Sequence, residues 1–395
     1  MKTNLFLLVL MTAALLSAQR TPDYDFSVVR QTRIDLRDLG YPPLDVIPSE
    51  ESAIRALAVS PEGLIYGATS GKRSHLFVLD PQHGYVEPLG WLRDVTTVHH
   101  ALVVSRTGDV YIGGSIGVDN NGEGYSNYSG GHLLKYSPKP REPRPDQAKF
   151  ECAVTDLGIA APGEGIYALA IDPERDVLYG LTYPTGQFFS YDIQKAAFHL
   201  HGRVAEHHIP GEKFEKDRLI GRALFVARNG SVIMSGEDGH FFAFDPGHAN
   251  LRKLPITVPT VPGREPYNRV DAWTASGDGV AYGGTSDGYL FRMNPETQAI
   301  ENLGKPLNQY RIRGLAFAAN GKLYGVGGDD DEMARLFSYD PARGVYQMLG
   351  MIDVNHRPYY SWQAYVTDSL VIGQDGTLYL GQSERKSKLY LYYPE

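Results

Sequence analysis

The stretch from Asp176 to Asp192, DVLYGLTYPTGQFFSYD, constrains this chain more than any other. A short apolar run and a Gly lead into a Pro-Thr-Gly turn, and a second aromatic run closes on Tyr-Asp. That pattern forms one β-hairpin. Related hairpins recur along almost the whole length. Copies begin at Ala56, Ala101, Ala168, Ala223, Ala272, Gly314 and Ser369, and several close on a Leu-Gly pair, as at Leu89-Gly90, Leu157-Gly158, Leu303-Gly304 and Leu349-Gly350. No amphipathic helix separates them. Repeats of roughly 40–50 residues with this texture are blades of four antiparallel strands, and seven copies predict an all-β, seven-bladed β-propeller spanning residues 24–395.

The seventh copy stops after its third strand, at Tyr393-Pro394-Glu395. A substitute fourth strand lies at the other end of the chain, where residues 32–40 (TRIDLRDLG) end in the same Leu-Gly. The ring is therefore expected to close by pairing this N-terminal strand with the last blade, removing two sheet edges. Two insertions, Ser115–Gly131 and Pro138–Phe150, and the long connections at 203–221 and 351–368 interrupt the repeat. Function in such folds sits in loops over the central channel.

Composition narrows the classes. The chain has 395 residues, 42% hydrophobic and 21% charged, with 26 Tyr and 43 Gly, as many short strands with tight turns require. A net charge of −8 offers no footprint for nucleic acid. Lys2, the apolar run Leu5–Leu16 and the small pair Ser17-Ala18 read as a signal peptide over residues 1–18, too short to span a membrane. The expected location is secreted or periplasmic, with no membrane span after cleavage, and the expected state is a monomer. Cys152 is the single cysteine, so no intramolecular disulfide supports the fold.

In a four-stranded blade, the entry to the innermost strand and the turn between strands two and three share one face. The residue preceding each inner strand is Arg55, His100, Tyr167, Arg222, Asp271, Arg313 or Asp368. The position opening each third strand is His75, His132, Gln187, His240, Tyr289, Arg335 or Lys388. Both sets are polar throughout. One explanation is that polar residues merely cap strand ends at a wet surface, with the three His making hairpin hydrogen bonds. The other is a pocket of Arg, His and Tyr suited to an anionic, polyhydroxylated ligand. In it Arg55, His132, His240, Tyr183, Tyr360 and Trp362 bind substrate, the aromatic ones by stacking on sugar faces. With a uronic-acid polymer the same groups can run β-elimination. Arg222 and Arg313 neutralise the carboxylate, His100 takes the proton and Tyr167 protonates the leaving oxygen.

Other motifs carry less. Asp119–Gly124 resembles half a calcium loop but lacks the acid at its twelfth position, where Gly130 stands. Asp329–Glu332 reads as a solvated charge run. His99-His100 and His207-His208 lack the helical spacing of a zinc motif. The G-x-S-x-G strings around Ser115 and Ser286 open no helix and read as hairpin turns. No metal ligand set and no particular cofactor follow from these residues.

The pattern from Leu178 to Asp192 resembles exported seven-bladed propellers with NHL-, Kelch- and PQQ-like repeats. More narrowly, Val98-His-His-Ala-Leu-Val-Val followed by Val110-Tyr-Ile-Gly-Gly resembles the His-bearing blade of secreted propeller polysaccharide lyases and rhamnosidase-like enzymes. That resemblance implies a His at the channel mouth with Tyr and Arg partners, and of these only His100 carries over. Where some of those proteins have a second His after the Gly-Gly, this chain has Ser115. Three functions stay open: a lyase acting on an acidic glycan, a non-catalytic propeller that binds a glycan or protein, and a metal-dependent lactonase or streptogramin-lyase-like enzyme.

Overall fold

A computed structural model describes residues 47–116, 127–139, 146–206, 220–329, 332–356, 360–384 and 387–394, together with the backbone of two short strands, Tyr24–Phe26 and Thr32–Ile34. The leader, the calcium-like loop at 119–124 and His207-His208 lie outside the described residues. The protein is a seven-bladed β-propeller. Its blades span 53–92, 102–159, 165–203, 225–257, 270–304, 312–351 and 367–392, each with its strands in antiparallel sequence order.

A repeated small-to-large pairing explains why these segments form blades. In four blades a Gly on the second strand lies directly opposite a Phe on the third: Gly67 with Phe77, Gly180 with Phe189, Gly283 with Phe291 and Gly325 with Phe337. A Cβ at any of these glycines would meet the ring Cζ at 2.1–2.4 Å, so the ring occupies the space a side chain would take. All four Phe rings are fully buried. The Leu-Tyr-Gly…Phe signature is thus a packing device.

Among the described residues, seven apolar clusters fill the spaces between blades, and one of them joins Ile54, Leu57 and Phe77 of blade one to Tyr379, Leu389 and Leu391 of blade seven. Seven blades in an open arc would have only six such interfaces, so the ring is closed. Polar contacts reinforce that seam: Ser387 N donates to Ser52 Oγ at 3.1 Å, and Gln374 Nε2 to Pro61 O at 2.7 Å.

Thr32–Ile34 pairs antiparallel with Leu389–Leu391 as the outer strand of blade seven. Tyr24–Phe26 does something the repeat did not announce: it pairs parallel with Tyr346–Met348, adding a fifth strand to blade six. Of the second insertion, Gln147–Lys149 forms a 3-10 turn beside blade one, where Trp91 N donates to Phe150 O and Cys152 N to Trp91 O. No helix among the described residues is long and apolar enough to cross a membrane.

Candidate functional site

The inner strands share one irregularity. Five of them slip register by one residue at the same height, between Ile54 and Ala56, Ile166 and Ala168, Val270 and Ala272, Ile312 and Gly314, and Thr367 and Ser369. The residues inside these bulges are Arg55, Tyr167, Asp271, Arg313 and Asp368. A bulge leaves one residue unpaired and re-aims its side chain. In the other two blades His100 and Arg222 precede short inner strands. His100 O accepts from Leu169 N at 3.0 Å and Arg222 N donates to Val270 O at 3.1 Å, so each is tied to the inner strand of the next blade.

Six of the seven predicted mouth residues, Arg55, His100, Arg222, Asp271, Arg313 and Asp368, line a space of about 150 Å³ on the axis, with Leu102, Leu169, Leu224, Leu315 and Leu370 among the residues beneath them. Tyr167 stands beside it, near enough to Arg222 for the guanidinium charge to act on its phenol. Its ring centroid lies 6.4 Å from that of His100, 4.8 Å from His99 and 5.8 Å from Tyr183.

Charge is dense here. Asp271, fully buried, sits 2.8 Å from Arg311 Nε, 3.3 Å from Arg269 Nε and 3.8 Å from Arg222 Nε. Asp368 receives Arg313 Nη1 and, at 3.2 Å, Arg222 Nη1. Arg313 also donates to Gly328 O at 2.7 Å and to Asp329. Five arginines (55, 222, 269, 311, 313) thus face three carboxylates (271, 329, 368), an excess of two positive charges. Among the described residues, three guanidinium nitrogens at the mouth, Arg55 Nε, Arg222 Nε and Arg311 Nη2, are buried without a hydrogen-bond partner. The 3.8 Å separation of Arg222 Nε from Asp271 is a charge contact, too long for a hydrogen bond. Orphaned donors in so positive a setting mark where an anion's oxygens fit.

The same field sets the titrating groups. Burial would hold Asp271 and Asp368 protonated, yet the surrounding guanidinium groups outweigh it and keep both well below the usual carboxylate range. Burial, helped by Arg222, lowers His100 to about 3. Burial and then Arg55 push His99 well below its ordinary value, and its Nδ1 lies 3.4 Å from Arg55 Nη1. Both imidazoles are neutral at pH 7. Burial opposes ionisation of Tyr167, but Arg222, Arg269 and Arg311 together prevail, and its phenol is more acidic than usual. Arg311 falls to about 10, chiefly through burial.

The third-strand positions do not converge on the mouth. His75 Nε2 pairs with buried Glu51 at 2.7 Å, His132 Nδ1 with Asp156 at 2.8 Å, and His240 Nδ1 with the carbonyl of Leu254 at 2.9 Å. Each is occupied within or beside its own blade, two strands out from the axis. His132 and His240 are therefore not brought to the site. For Tyr360 and Trp362 the structure describes only the backbone, in a hairpin pairing Asp353–His356 with Tyr360–Gln363. Ser286 is the hairpin-turn residue expected, its Oγ donating to Asn268 Oδ1. The charge run reads differently from the expectation of a solvated stretch: Asp329 bonds Arg313, and Glu332 accepts from Tyr310 N at 2.9 Å.

Sequence reasoning missed Arg269, Arg311 and His99. The first two lie two residues before Asp271 and Arg313, and alternation along a strand was the available signal. Among the described residues no three His, Cys, Asp or Glu side chains gather as a metal ion requires.

No family model and no curated protein matches this sequence. Solved structures do match in fold. A streptogramin B lyase aligns over 92% of this chain and 97% of its own, at TM-score 0.58 and 11% identity. A catalytically inactive virginiamycin B lyase from Staphylococcus aureus, solved with quinupristin, aligns over 92% and 99%, at 0.60 and 8%. The extracellular domain of a putative hybrid two-component system, BT4673 of B. thetaiotaomicron, aligns over 93% of this chain and 40% of that one, at 0.58 and 16%. At these identities the likeness is one of fold alone.

Proposed function

We propose that this is an exported propeller whose mouth binds a carboxylate-bearing sugar and cleaves it by β-elimination. The observation that carries this reading is the set of three buried guanidinium nitrogens, on Arg55, Arg222 and Arg311, without a hydrogen-bond partner among the described residues. Two of them belong to arginines that, with Arg269, make Tyr167 more acidic. A carboxylate held by Arg222 and Arg311 has its charge neutralised, which acidifies the neighbouring C–H. The Tyr167 phenolate, stabilised by Arg222, takes that proton. The electron pair forms a C=C bond, the C–O bond to the leaving sugar breaks, and the protonated Tyr167 returns its proton to the departing oxygen. Atoms and charge balance without a co-reactant.

This assignment moves the base from His100 to Tyr167. An imidazole lowered to about 3 is neutral but a feeble base, and in this reading it lines the site. Arg313, engaged by Gly328, Asp329 and Asp368, positions Asp368 and does not grip substrate. The lyase names of two structural neighbours and the extracellular origin of a third accord with an exported lyase, at the level of fold.

The test is a panel of uronic-acid glycans incubated with the mature protein, followed by the ultraviolet absorbance of the unsaturated product. Absorbance rises with wild type on at least one glycan and falls about 100-fold or more in rate with Tyr167→Phe. A folded protein that yields no unsaturated product across the panel removes the elimination reading and leaves anion binding alone.

A further inference from the structure

The mouth does not end at its arginines. Seven large hydrophobic side chains are well exposed among the described residues, and three are tyrosines in one structural setting: Tyr267, Tyr310 and Tyr365, 41%, 48% and 40% exposed. Each lies on the linker entering an inner strand, four residues before Asp271 and three before Arg313 and Asp368. They therefore stand on the mouth face of blades five, six and seven, side by side around one arc of the rim.

Their backbones are anchored. Tyr310 N donates to Glu332 at 2.9 Å, Tyr365 N to Glu384 at 2.6 Å, and Tyr267 N to Arg264 O at 2.9 Å. The acids that hold Tyr310 and Tyr365 come from the second turn of the same blades. Cations accompany the rings: Lys305 Nζ lies 5.2 Å and Arg264 Cζ 5.9 Å from the centroid of Tyr310, and Lys305 also lies 5.7 Å from that of Tyr289. Water-facing aromatic surface held in place at like positions, with basic groups against its middle ring, suits an acidic sugar chain. Its C–H faces stack on rings and its carboxylates meet cations.

We propose that the tyrosine arc of blades five to seven is an extended binding surface for an oligomer of acidic sugars, continuing from the unit held at the arginine mouth. This rests on the reading that the mouth takes such a sugar. It assigns the substrate as a polymer and places its length over one side of the ring.

The test compares binding of galacturonate and mannuronate with binding of their linear hexamers by calorimetry. Wild type binds a hexamer at least tenfold more tightly than its monomer. Tyr310→Ala and Tyr365→Ala each weaken hexamer binding about tenfold and leave monomer binding unchanged. Tyr310→Leu, which keeps apolar bulk without a flat face, behaves like the alanine variant. Equal affinity for monomer and hexamer overturns the arc while leaving the mouth intact, and so does a hexamer indifferent to all three substitutions. Hexamer binding that depends on the tyrosines, with no monomer binding at all, supports the arc and removes the mouth as the carboxylate site. Binding of neither form overturns both.

Discussion

Arg222 and Asp368 are 146 residues apart in the chain, yet Nη1 of one lies 3.2 Å from Oδ1 of the other. They come from blades four and seven, which face each other across the ring, so the contact spans the axis. Side chains bridge the mouth at this level and hold its charges in place before any ligand arrives. Such fixed charges stabilise a developing anion without reorganising. Buried ions are not a reliable source of stability in themselves, because desolvation offsets their attraction. Their consequence is a site whose parts depend on one another.

Asp271 is the member on which most depends. It is fully buried against Arg222, Arg269 and Arg311. Asp271→Asn removes the carboxylate charge shared by those guanidinium groups, leaving Arg222 only Asp368 and Arg311 only the more distant Asp329. Stability falls by about 3–5 kcal/mol, as for other broken buried ion pairs. Urea denaturation measures it. A loss below about 1 kcal/mol would show that solvent screens the cluster.

Stability has a specific acid dependence. His99 and His100 have folded values below the ordinary 6.5, so between that pH and their lowered values the unfolded chain binds more protons. Their contribution is complete above pH 6.5 and declines as pH falls, by about 1.4 kcal/mol per pH unit for each imidazole. Asp271 and Asp368 are also depressed, and their contribution is lost only below about pH 4. Between pH 6.5 and 5 the histidines can therefore be read separately. Denaturation midpoints of wild type fall over that window more steeply than those of a His99→Asn, His100→Asn double variant. Parallel slopes would refute neutral burial of these rings.

The glycine–phenylalanine pairs give a packing prediction. Gly180→Ala drives a methyl group into the Phe189 ring, whose Cζ would lie 2.4 Å from the new Cβ. The strand must shift, at a cost of about 1–3 kcal/mol. Gly84→Ala, at a turn with open space around it but a φ of 67°, loses only about 1 kcal/mol, through backbone strain. Thermal midpoints of the two variants check the order.

Removal of residues 24–40 deletes both N-terminal strands and leaves the outer strands of blades six and seven with open edges. The truncated protein is expected to aggregate or to lose several degrees of thermal stability. A soluble monomer with the wild-type midpoint would rule out an N-terminal contribution to the ring.

Much of this was legible in advance, for a physical reason. The repeat displays strand height directly, because apolar runs and turns alternate along each blade. Arg55, His100, Tyr167, Arg222, Asp271, Arg313 and Asp368 could be aligned by their place before an apolar inner strand. Distance from the axis is not displayed. His132 and His240 have the same height as the mouth but stand two strands out, about 10 Å at ordinary strand spacing. Arg269 and Arg311 escaped notice because they stand just before their inner strands, two residues ahead of Asp271 and Arg313, where only alternation carried back past the strand start places them on the same side. Asp329 looked solvated because a charge run does not reveal that its turn folds back onto Arg313. The parallel strand at Tyr24–Phe26 had no signal in the repeat at all.

A crystal structure of the Tyr167→Phe protein soaked with a uronic-acid oligomer decides whether the mouth arginines grip a carboxylate beside position 167. A carboxylate within hydrogen-bond reach of Arg222 and Arg311, with the adjacent C–H facing the ring at position 167, is expected. An oligomer bound elsewhere on the ring, with the arginine mouth empty of it, would show that the mouth is not the carboxylate site.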